Sequence, residues 1–192
     1  MIDTIINQIT RDYASLSIDT KNRFKKSLKL LELPKGSLLV EEGKYTNTLF
    51  YIYKGSAKSY HIKDGKTITD WFAFEGEFIC AINGYFLKEP SEYYIELTEN
   101  STLLELKRES LSTLSKNHHD FERFSRITIT RIMLQLKQRT VNFQFTTAKE
   151  RYNYLLENYP GIELRISLGD IASYIGVTQE TLSRIRTTGK RI

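Results

Sequence analysis

The stretch LPKGSLLVEEGKYTNTLFYIYKGSAKSYHIKDGKTITDWFAFEGEF, residues 33–78, decides the fold of the first part of this chain. Short runs rich in Tyr, Phe, Ile, Leu and Val are separated there by Gly36, Gly43, Gly55, Gly65 and Gly76. The pair Asp64-Gly65 is typical of a two-residue hairpin turn, because both residue types tolerate positive φ. We therefore expect half-buried strands from Leu33 to Leu106 that form an antiparallel barrel or double-sheet roll.

Helices are predicted on both sides of this roll. Before it, Ile5 to Leu31 has apolar residues at helical spacing, among them Phe24, Leu28 and Leu31. After it, His118 to Asn142 contains neither glycine nor proline, which predicts one long helix of roughly seven turns. Positions near a seven-residue repeat in this helix are Phe124, Ile127, Arg131, Leu134 and Val141. Such a seam is typical of a helix that pairs with its twin in a dimer, and a helix packed only on its own roll is the alternative.

The last part of the chain, Thr146 to Ile192, predicts a small helical unit. One helix ends at Pro160-Gly161, and the stretch ELRIS, residues 163–167, is expected to be extended. Ser167 and Asp170 have the spacing of a capping box, so they begin a second helix, which Gly176 ends. Thr178 is a suitable cap for a third helix.

The second and third of these helices have the pattern of a helix-turn-helix. The positions expected to face inward are Ile171, Ala172, Ile175, Val177, Leu182 and Ile185. Ala172 is small where the two helices must cross closely, and Gly176 supplies the positive φ that the turn needs. A plain helical hairpin is the alternative interpretation.

The outer face of the third helix carries polar and charged side chains. Glu180, Ser183 and Arg184 lie at positions i, i+3 and i+4 and therefore share one face. In the major groove of DNA, an arginine can bond guanine O6 and N7 together, and a glutamate can accept from the amino group of cytosine. The simpler alternatives are compensation of the helix dipole by Glu180 and an ordinary solvated charge at Arg184. The predicted DNA-binding residues are Thr178, Gln179, Glu180, Ser183, Arg184, Arg186 and Lys190.

Composition and charge exclude several classes of protein. A hydrophobic content of 40% and a charged content of 27% are ordinary for a globular chain of 192 residues. A single cysteine, Cys80, cannot build a disulfide framework or an iron–sulfur cluster, and no cofactor is predicted. The start of the chain lacks the pattern of a secretory signal, and no apolar run has the length of a membrane span, so we expect a cytoplasmic protein. The formal net charge of +5 comes entirely from residues 118–192, which is compatible with polyanion binding or with a mildly basic solvated face.

Together these residues resemble the Crp/Fnr family of bacterial transcription regulators over almost the whole chain. The spacing of Gly36, Leu39, Gly43, Leu49 and Gly55 is similar to the opening of the family's effector-binding roll. The family's dimerisation helix matches His118 to Asn142, and its recognition-helix pattern E-x-x-S-R matches Glu180, Ser183 and Arg184. The resemblance implies a homodimer that binds palindromic double-stranded DNA with TTG-type half-sites about one helical turn apart. RNA polymerase and a small-molecule effector are further candidate partners.

The fold that the resemblance implies is α+β. It consists of an N-terminal antiparallel β-roll of the cyclic-nucleotide-binding type, a long central dimerisation helix and a C-terminal winged-helix-like helix-turn-helix. The wing is expected to be truncated, since only TTGKRI follows Arg186. The corresponding domains are an effector-sensing roll at residues 1–117, the dimerisation helix at 118–142 and the DNA-binding domain at 143–192.

The effector pocket departs from the family pattern. In cyclic-AMP-binding members a Gly-Glu pair, whose Glu bonds the ribose, precedes an Arg-Ser pair, whose Arg holds the cyclic phosphate. Gly76 and Glu77 match the first pair, but Ser91 and Glu92 stand where Arg and Ser are expected. Glu92 would repel an anion, so we expect no useful affinity for cyclic AMP. The candidate pocket residues are Gly76, Glu77, Phe78, Ser91, Glu92 and Tyr93.

Two other functions stay open at this point. One is an effector-independent DNA-binding protein whose roll is a dimer scaffold or a protein-contact surface. The other is a metal-dependent enzyme built on a roll fold. The chain has three histidines, two of them adjacent at His118 and His119, and no nucleophile–base pair is evident, so we predict no catalytic residues and no metal ligands.

Overall fold

Eight short strands form two four-stranded sheets in the computed structural model, which describes residues 1–188. The strands are Leu28–Leu33 (β1), Leu38–Val40 (β2), Thr48–Lys54 (β3), Ala57–Lys63 (β4), Lys66–Ala73 (β5), Phe78–Cys80 (β6), Tyr94–Leu97 (β7) and Ser101–Lys107 (β8). One sheet has the order β1-β8-β3-β6 and the other β2-β7-β4-β5. The predicted α+β class and the roll are confirmed.

The hairpin between β4 and β5 turns where the sequence predicted. Asp64 and Gly65 both have positive φ, at 52° and 71°, as a type I′ turn requires. Gly55, between β3 and β4, also has a positive φ of 101°, and a Cβ atom there would collide with Ser101 on β8. The glycine pattern therefore reflects tight turns and one close approach between strands.

Eight α-helices occupy the rest of the described chain, together with a short π-helix at Asn83–Leu87. They are Ile2–Asp12 (α1), Ile18–Lys26 (α2), Arg108–Asn117 (α3), His119–Phe145 (α4), Ala148–Asn158 (α5), Ile162–Arg165 (α6), Leu168–Ile175 (α7) and Gln179–Thr188 (α8). The long predicted helix is present and continues three residues past Asn142. No helix in the part of the chain that the structure describes is long and apolar enough to cross a bilayer.

Two local predictions were wrong. Leu28 and Leu31 are in strand β1 and not in a helix, because Leu28 and Leu30 pair across the sheet with Leu106 and Leu104 of β8. Residues 162–165 form one helical turn and not an extended stretch. Gly161, with a φ of 80°, turns the chain immediately before this helix, and Ile162 is buried. In the first case, long-range strand pairing overrides a weak local preference.

The chain divides into two compact units. The first consists of Met1–Ser59 and Phe72–Leu134, and the second consists of Tyr60–Trp71 and the described residues from Gln135 onward. The core of the first unit contains an aromatic cluster made of Tyr13, Phe24, Tyr51, Phe78, Phe121 and Phe124. The outer part of the β4–β5 hairpin belongs to the second unit, with the carboxyl-terminal helices.

Asp120 joins the start of α4 to the start of α2 in the first unit. Its carboxylate accepts hydrogen bonds from the backbone N–H of Ser17 at 2.7 Å and from the hydroxyl of Thr20 at 2.8 Å. Burial alone would raise the pKa of this carboxyl group, but the hydrogen bonds outweigh burial and hold the pKa below its ordinary value.

Acid should therefore weaken the first unit through Asp120. A carboxyl group with a lowered pKa in the folded state contributes stability above its ordinary pKa and loses it as the pH falls through the folded value. We expect the free energy of unfolding to fall less steeply in Asp120→Asn than in the wild type between roughly pH 5 and pH 3. Urea unfolding at several pH values measures this. Asp64→Asn, at the exposed hairpin turn, is the control, and parallel pH profiles for the wild type and Asp120→Asn would contradict the expectation.

Candidate nucleic-acid interface

The helix pair α7–α8 forms around the predicted inward-facing residues. Ser167 caps α7, because its hydroxyl accepts from the N–H of Asp170 at 3.0 Å. Thr178 caps α8, because its hydroxyl accepts from the N–H of Thr181 at 3.2 Å. Of the six inward positions, Ile171, Ala172, Ile175 and Leu182 are buried, and Val177 and Ile185 are half-buried.

Gly176 makes the sharp turn between these helices. Its φ is 75°, and a Cβ atom at this position would lie 2.8 Å from the ring of Phe143. Arg151 supports the same turn: its Nε–H donates to the carbonyl of Ile175 at 2.8 Å, and its guanidinium lies 4.9 Å from the centre of the Phe143 ring. No local pattern indicated this support, since Phe143 lies one residue past the predicted end of the long helix.

The outer face of α8 is open to solvent. Gln179, Glu180, Ser183 and Arg184 are all exposed, and so is Thr178 at the turn before them. The Arg184 guanidinium lies 3.4 Å from the hydroxyl of Thr181, one turn earlier on the same helix. The structure thus brings these five predicted residues together on one surface. This surface, called the reading face below, combines donors and acceptors of the kinds that base edges bind.

Arg186 has a different position. Its Nε–H lies 2.8 Å from the Glu163 carboxylate, and the hydroxyl of Tyr152 donates to the same carboxylate. Burial of Tyr152, reinforced by its hydrogen bond to Glu163, raises the pKa of the tyrosine to about 12. Arg186 is therefore tied to α5 and α6 and is not grouped with the reading face. Lys190 lies outside the described residues.

The five predicted seam residues of α4 do not all lie on an open face. Phe124 is buried in the aromatic cluster, and Ile127 is half-buried. The Arg131 guanidinium stacks on Tyr13, 4.3 Å from the ring centre, and donates to the carbonyl of Asp12. Leu134 is 55% exposed, whereas Val141 is half-buried.

An exposed apolar patch lies on α4 close to the predicted seam. Ile129, Met133 and Leu134 are 47%, 57% and 55% exposed. Ile129 and Met133 are one helical turn apart, and Leu134 directly follows Met133. Ile129 and Met133 are not among the five predicted seam residues, whereas Leu134 is. Part of the predicted repeat packs into the core of the first unit, and Leu134 is the one predicted seam residue that belongs to this patch.

Gly76, Glu77 and Phe78, the first part of the predicted effector pocket, make contacts within the protein. The Glu77 carboxylate accepts from the N–H of Phe74 at 2.9 Å, and the carbonyl of Gly76 accepts from the hydroxyl of Tyr13 at 2.8 Å. Phe78 is buried against Tyr51 and Phe124.

The second part of the predicted pocket is also used internally. Ser91 is buried, and its hydroxyl donates to the carbonyl of Tyr93 at 2.6 Å. The hydroxyl of Tyr93 donates to the carbonyl of Cys80 at 3.1 Å, and Glu92 is exposed. Burial raises the pKa of the Cys80 thiol to about 12, so Cys80 stays protonated.

A cleft of about 340 Å³ in the first unit was not anticipated from the sequence. Its apolar lining includes Leu31, Leu33 and Phe50. At its edge the ammonium group of Lys107 lies 2.6 Å from the Glu105 carboxylate. None of the predicted pocket residues lines this cleft. Among residues 1–188, no group of three or more His, Cys, Asp or Glu side chains is placed to hold a metal ion.

Comparisons with known proteins agree with this architecture. Residues 30–118 match the model of the cyclic nucleotide-binding domain. A search of curated proteins found no match to the sequence. FixK2 from Bradyrhizobium japonicum is 21% identical, with 84% of this chain and 83% of that chain covered and a TM-score of 0.72. The c-di-GMP-responsive global regulator CLP from Xanthomonas campestris is 17% identical, with coverages of 91% and 92% and a TM-score of 0.70.

A third solved structure is a transcriptional regulator of the CRP/FNR family from Thermus thermophilus. It is 13% identical, with 85% of this chain and 86% of that chain covered and a TM-score of 0.67. The chain therefore carries a cyclic nucleotide-binding-type domain at residues 30–118 and has the fold of the Crp/Fnr-like regulators, as the sequence resemblance predicted.

Proposed function

We propose that this protein is a homodimeric, sequence-specific DNA-binding transcription regulator of the bacterial cytoplasm. The proposal rests on the contrast between a buried apolar side and an exposed polar side of α8. Its inner side is anchored by the fully buried Leu182, and its outer side exposes Gln179, Glu180, Ser183 and Arg184. An acidic side chain next to DNA phosphates would be unfavourable unless it bonded a base, so Glu180 supports base reading.

Each predicted side chain has a role in this proposal. Arg184 donates to O6 and N7 of a guanine, Glu180 accepts from a cytosine amino group, and Gln179 and Ser183 add hydrogen bonds to neighbouring bases. Thr178 donates to a phosphate at the start of α8. Arg186 reaches a phosphate only if its ion pair with Glu163 opens, and Lys190 would add a basic contact near the end of the chain.

The dimer would form through α4. Its exposed patch of Ile129, Met133 and Leu134 is apolar, and a second copy of the same helix would cover it as coiled-coil helices cover their seams. In the proposed domain organisation, residues 1–117 form the sensor, residues 118–142 the dimerisation helix and residues 143–192 the DNA-binding domain. RNA polymerase is a candidate partner of such a regulator, and the proposal assigns the chain no enzymatic role.

A fluorescence anisotropy titration tests the proposal. The purified protein is titrated with a labelled palindromic duplex carrying TTG-type half-sites and with a scrambled duplex of the same composition, at two salt concentrations. We expect tighter binding to the palindrome, with one dimer per duplex, at both salt concentrations. Equal affinities that fall together as salt rises would mean that only phosphates are contacted, and would overturn base reading.

Regulation by a small molecule in the roll, other than cyclic AMP, completes the proposal. Such a ligand can act only through different affinities for two arrangements of the protein. The alternative is effector-independent binding, and one observation favours it. Glu77 and Ser91, at the family's ligand positions, already make hydrogen bonds to Phe74 and Tyr93 within the protein.

Cyclic AMP is expected not to bind with useful affinity. No arginine or lysine stands at Ser91 or Glu92, where the family holds the cyclic phosphate, and an exposed carboxylate there repels an anion. Isothermal titration calorimetry with cyclic AMP should show no saturable heat at micromolar concentrations. The variant Glu92→Arg serves as a comparison for the charge, and saturable micromolar binding to the wild type would contradict the expectation.

A further inference from the structure

The β4–β5 hairpin makes a polar contact with the first helix of the helix-turn-helix. The backbone N–H of Thr69, on β5, donates to the hydroxyl of Ser173 at 2.8 Å. That hydroxyl donates in turn to the carbonyl of Thr67 at 3.2 Å. The Ser173 side chain therefore forms hydrogen bonds with one N–H and one carbonyl of β5, as a paired strand would.

Two further contacts extend this arrangement. The Thr69 hydroxyl donates to the Asp170 carboxylate at 3.4 Å, one helical turn before Ser173. Beside it, the Asp70 carboxylate lies 2.6 Å from the guanidinium of Arg139 near the end of α4. The Arg139 guanidinium also stacks over Tyr174 of α7, 5.5 Å from the ring centre.

These contacts, called the hairpin contact below, are directional and partly buried. Thr69 is fully buried, so its N–H loses its partner if α7 moves away from β5. These hydrogen bonds form only when α7 lies on β5, so together they favour this orientation of α7 on the hairpin. All of the reading face on α8 is exposed while the hairpin contact is formed.

We propose that the hairpin contact positions the helix-turn-helix for simultaneous binding of two half-sites. Thr69, Asp70, Arg139 and Ser173 are positioning residues in this proposal, because they act through the placement of α8 and do not touch DNA. A single half-site requires only a folded helix-turn-helix, whereas a palindrome requires both copies of α8 in fixed positions. The inference rests on the proposed function, since it presupposes a dimer that reads a palindrome.

The test distinguishes a role of the hairpin contact in positioning the helix-turn-helix from a role in folding it. Ser173→Ala removes the side chain that Thr69 and Thr67 share, and Asp70→Asn weakens the ion pair without altering the helix-turn-helix itself. Thr67→Ala is the matched control, because only the carbonyl of Thr67 takes part and its side chain is exposed. Amide hydrogen exchange of Thr69 and the affinities for a palindromic duplex and a single half-site are measured for each full-length protein.

For Ser173→Ala we expect faster exchange of the Thr69 amide and a loss of palindrome affinity on the order of ten-fold, the factor that about 1.4 kcal/mol represents. Asp70→Asn should also lower the affinity for the palindrome. Both variants should keep the wild-type affinity for a single half-site, and Thr67→Ala should behave as the wild type in every measurement.

Unchanged or tighter binding of the palindrome by Ser173→Ala, despite faster exchange of the Thr69 amide, would overturn this inference and leave the proposed function intact. An equal loss on the half-site would also overturn it, because the contact would then support folding. A wild type that shows no preference for the palindrome over a scrambled duplex would overturn the proposed function as well.

Discussion

Leu134→Asp is expected to abolish the dimer and palindrome binding together. Leu134 is 55% exposed beside Ile129 and Met133, and the proposed dimer buries this patch against a second α4. The substitution would place a carboxylate from each copy into an apolar seam, where an unpaired buried charge costs several kcal/mol. Because each ~1.4 kcal/mol is tenfold in an equilibrium constant, we expect dimer dissociation to increase by roughly a hundred-fold or more.

Sedimentation equilibrium and duplex titration on the same samples measure the two effects. Leu164→Asp is the matched control, since Leu164 is 93% exposed on α6 and lies outside the proposed seam. The control should remain dimeric and bind the palindrome. A dimeric Leu134→Asp protein would show that another surface joins the two copies, and the assignment of α4 would then be withdrawn.

Arg184→Ala is expected to remove the readout of one guanine. The side chain is exposed on the reading face, and a guanidinium that bonds guanine O6 and N7 together discriminates by about 1–3 kcal/mol. The affinity for the preferred palindrome should therefore fall by one to two orders of magnitude. The affinity for duplexes that lack this guanine should change little, so the preference at that position disappears.

Titrations against four duplexes that differ only at the symmetric position measure this loss. Arg186→Ala is the control on the same helix, because Arg186 is held by Glu163 and is expected, at most, to contact a phosphate. Its loss should affect all four duplexes equally. If Arg184→Ala weakened all four equally, Arg184 would be a phosphate contact and not a base contact.

The helix-turn-helix could be predicted from the sequence because each of its signals is local. Ser167, Gly176 and Thr178 mark helix ends, and the buried positions between them are at helical spacing. The roll was predictable for the same reason, since tight turns such as Asp64-Gly65 need residues that tolerate positive φ.

Features that depend on distant partners were not predictable in this way. Leu28 and Leu31 fit a helix by spacing, and only pairing with β8 makes the segment a strand. Thr69 and Ser173 are 104 positions apart, and no local pattern connects them. Phe124 is a similar case: it satisfies the heptad, but the aromatic cluster of the first unit buries it.

In the candidate pocket, matching residue types do not by themselves predict which groups are available to a ligand. Gly76 and Glu77 match the family pair, and the turn they form is present. Ligand binding here would require polar groups that are not already used within the protein. The carbonyl of Gly76 already accepts a hydrogen bond from Tyr13. The residue types at this turn could be matched in the sequence, but the hydrogen bond from Tyr13 could be found only in the structure.

Selection from a random duplex library with purified, ligand-free protein tests sequence-specific DNA reading most directly. The bound duplexes are sequenced after selection at two salt concentrations. We predict enrichment of a two-fold palindrome at both concentrations, with half-sites centred about one helical turn apart. Binding that enriches no sequence and falls steeply as salt rises would show contacts to phosphates alone and would contradict base reading by α8.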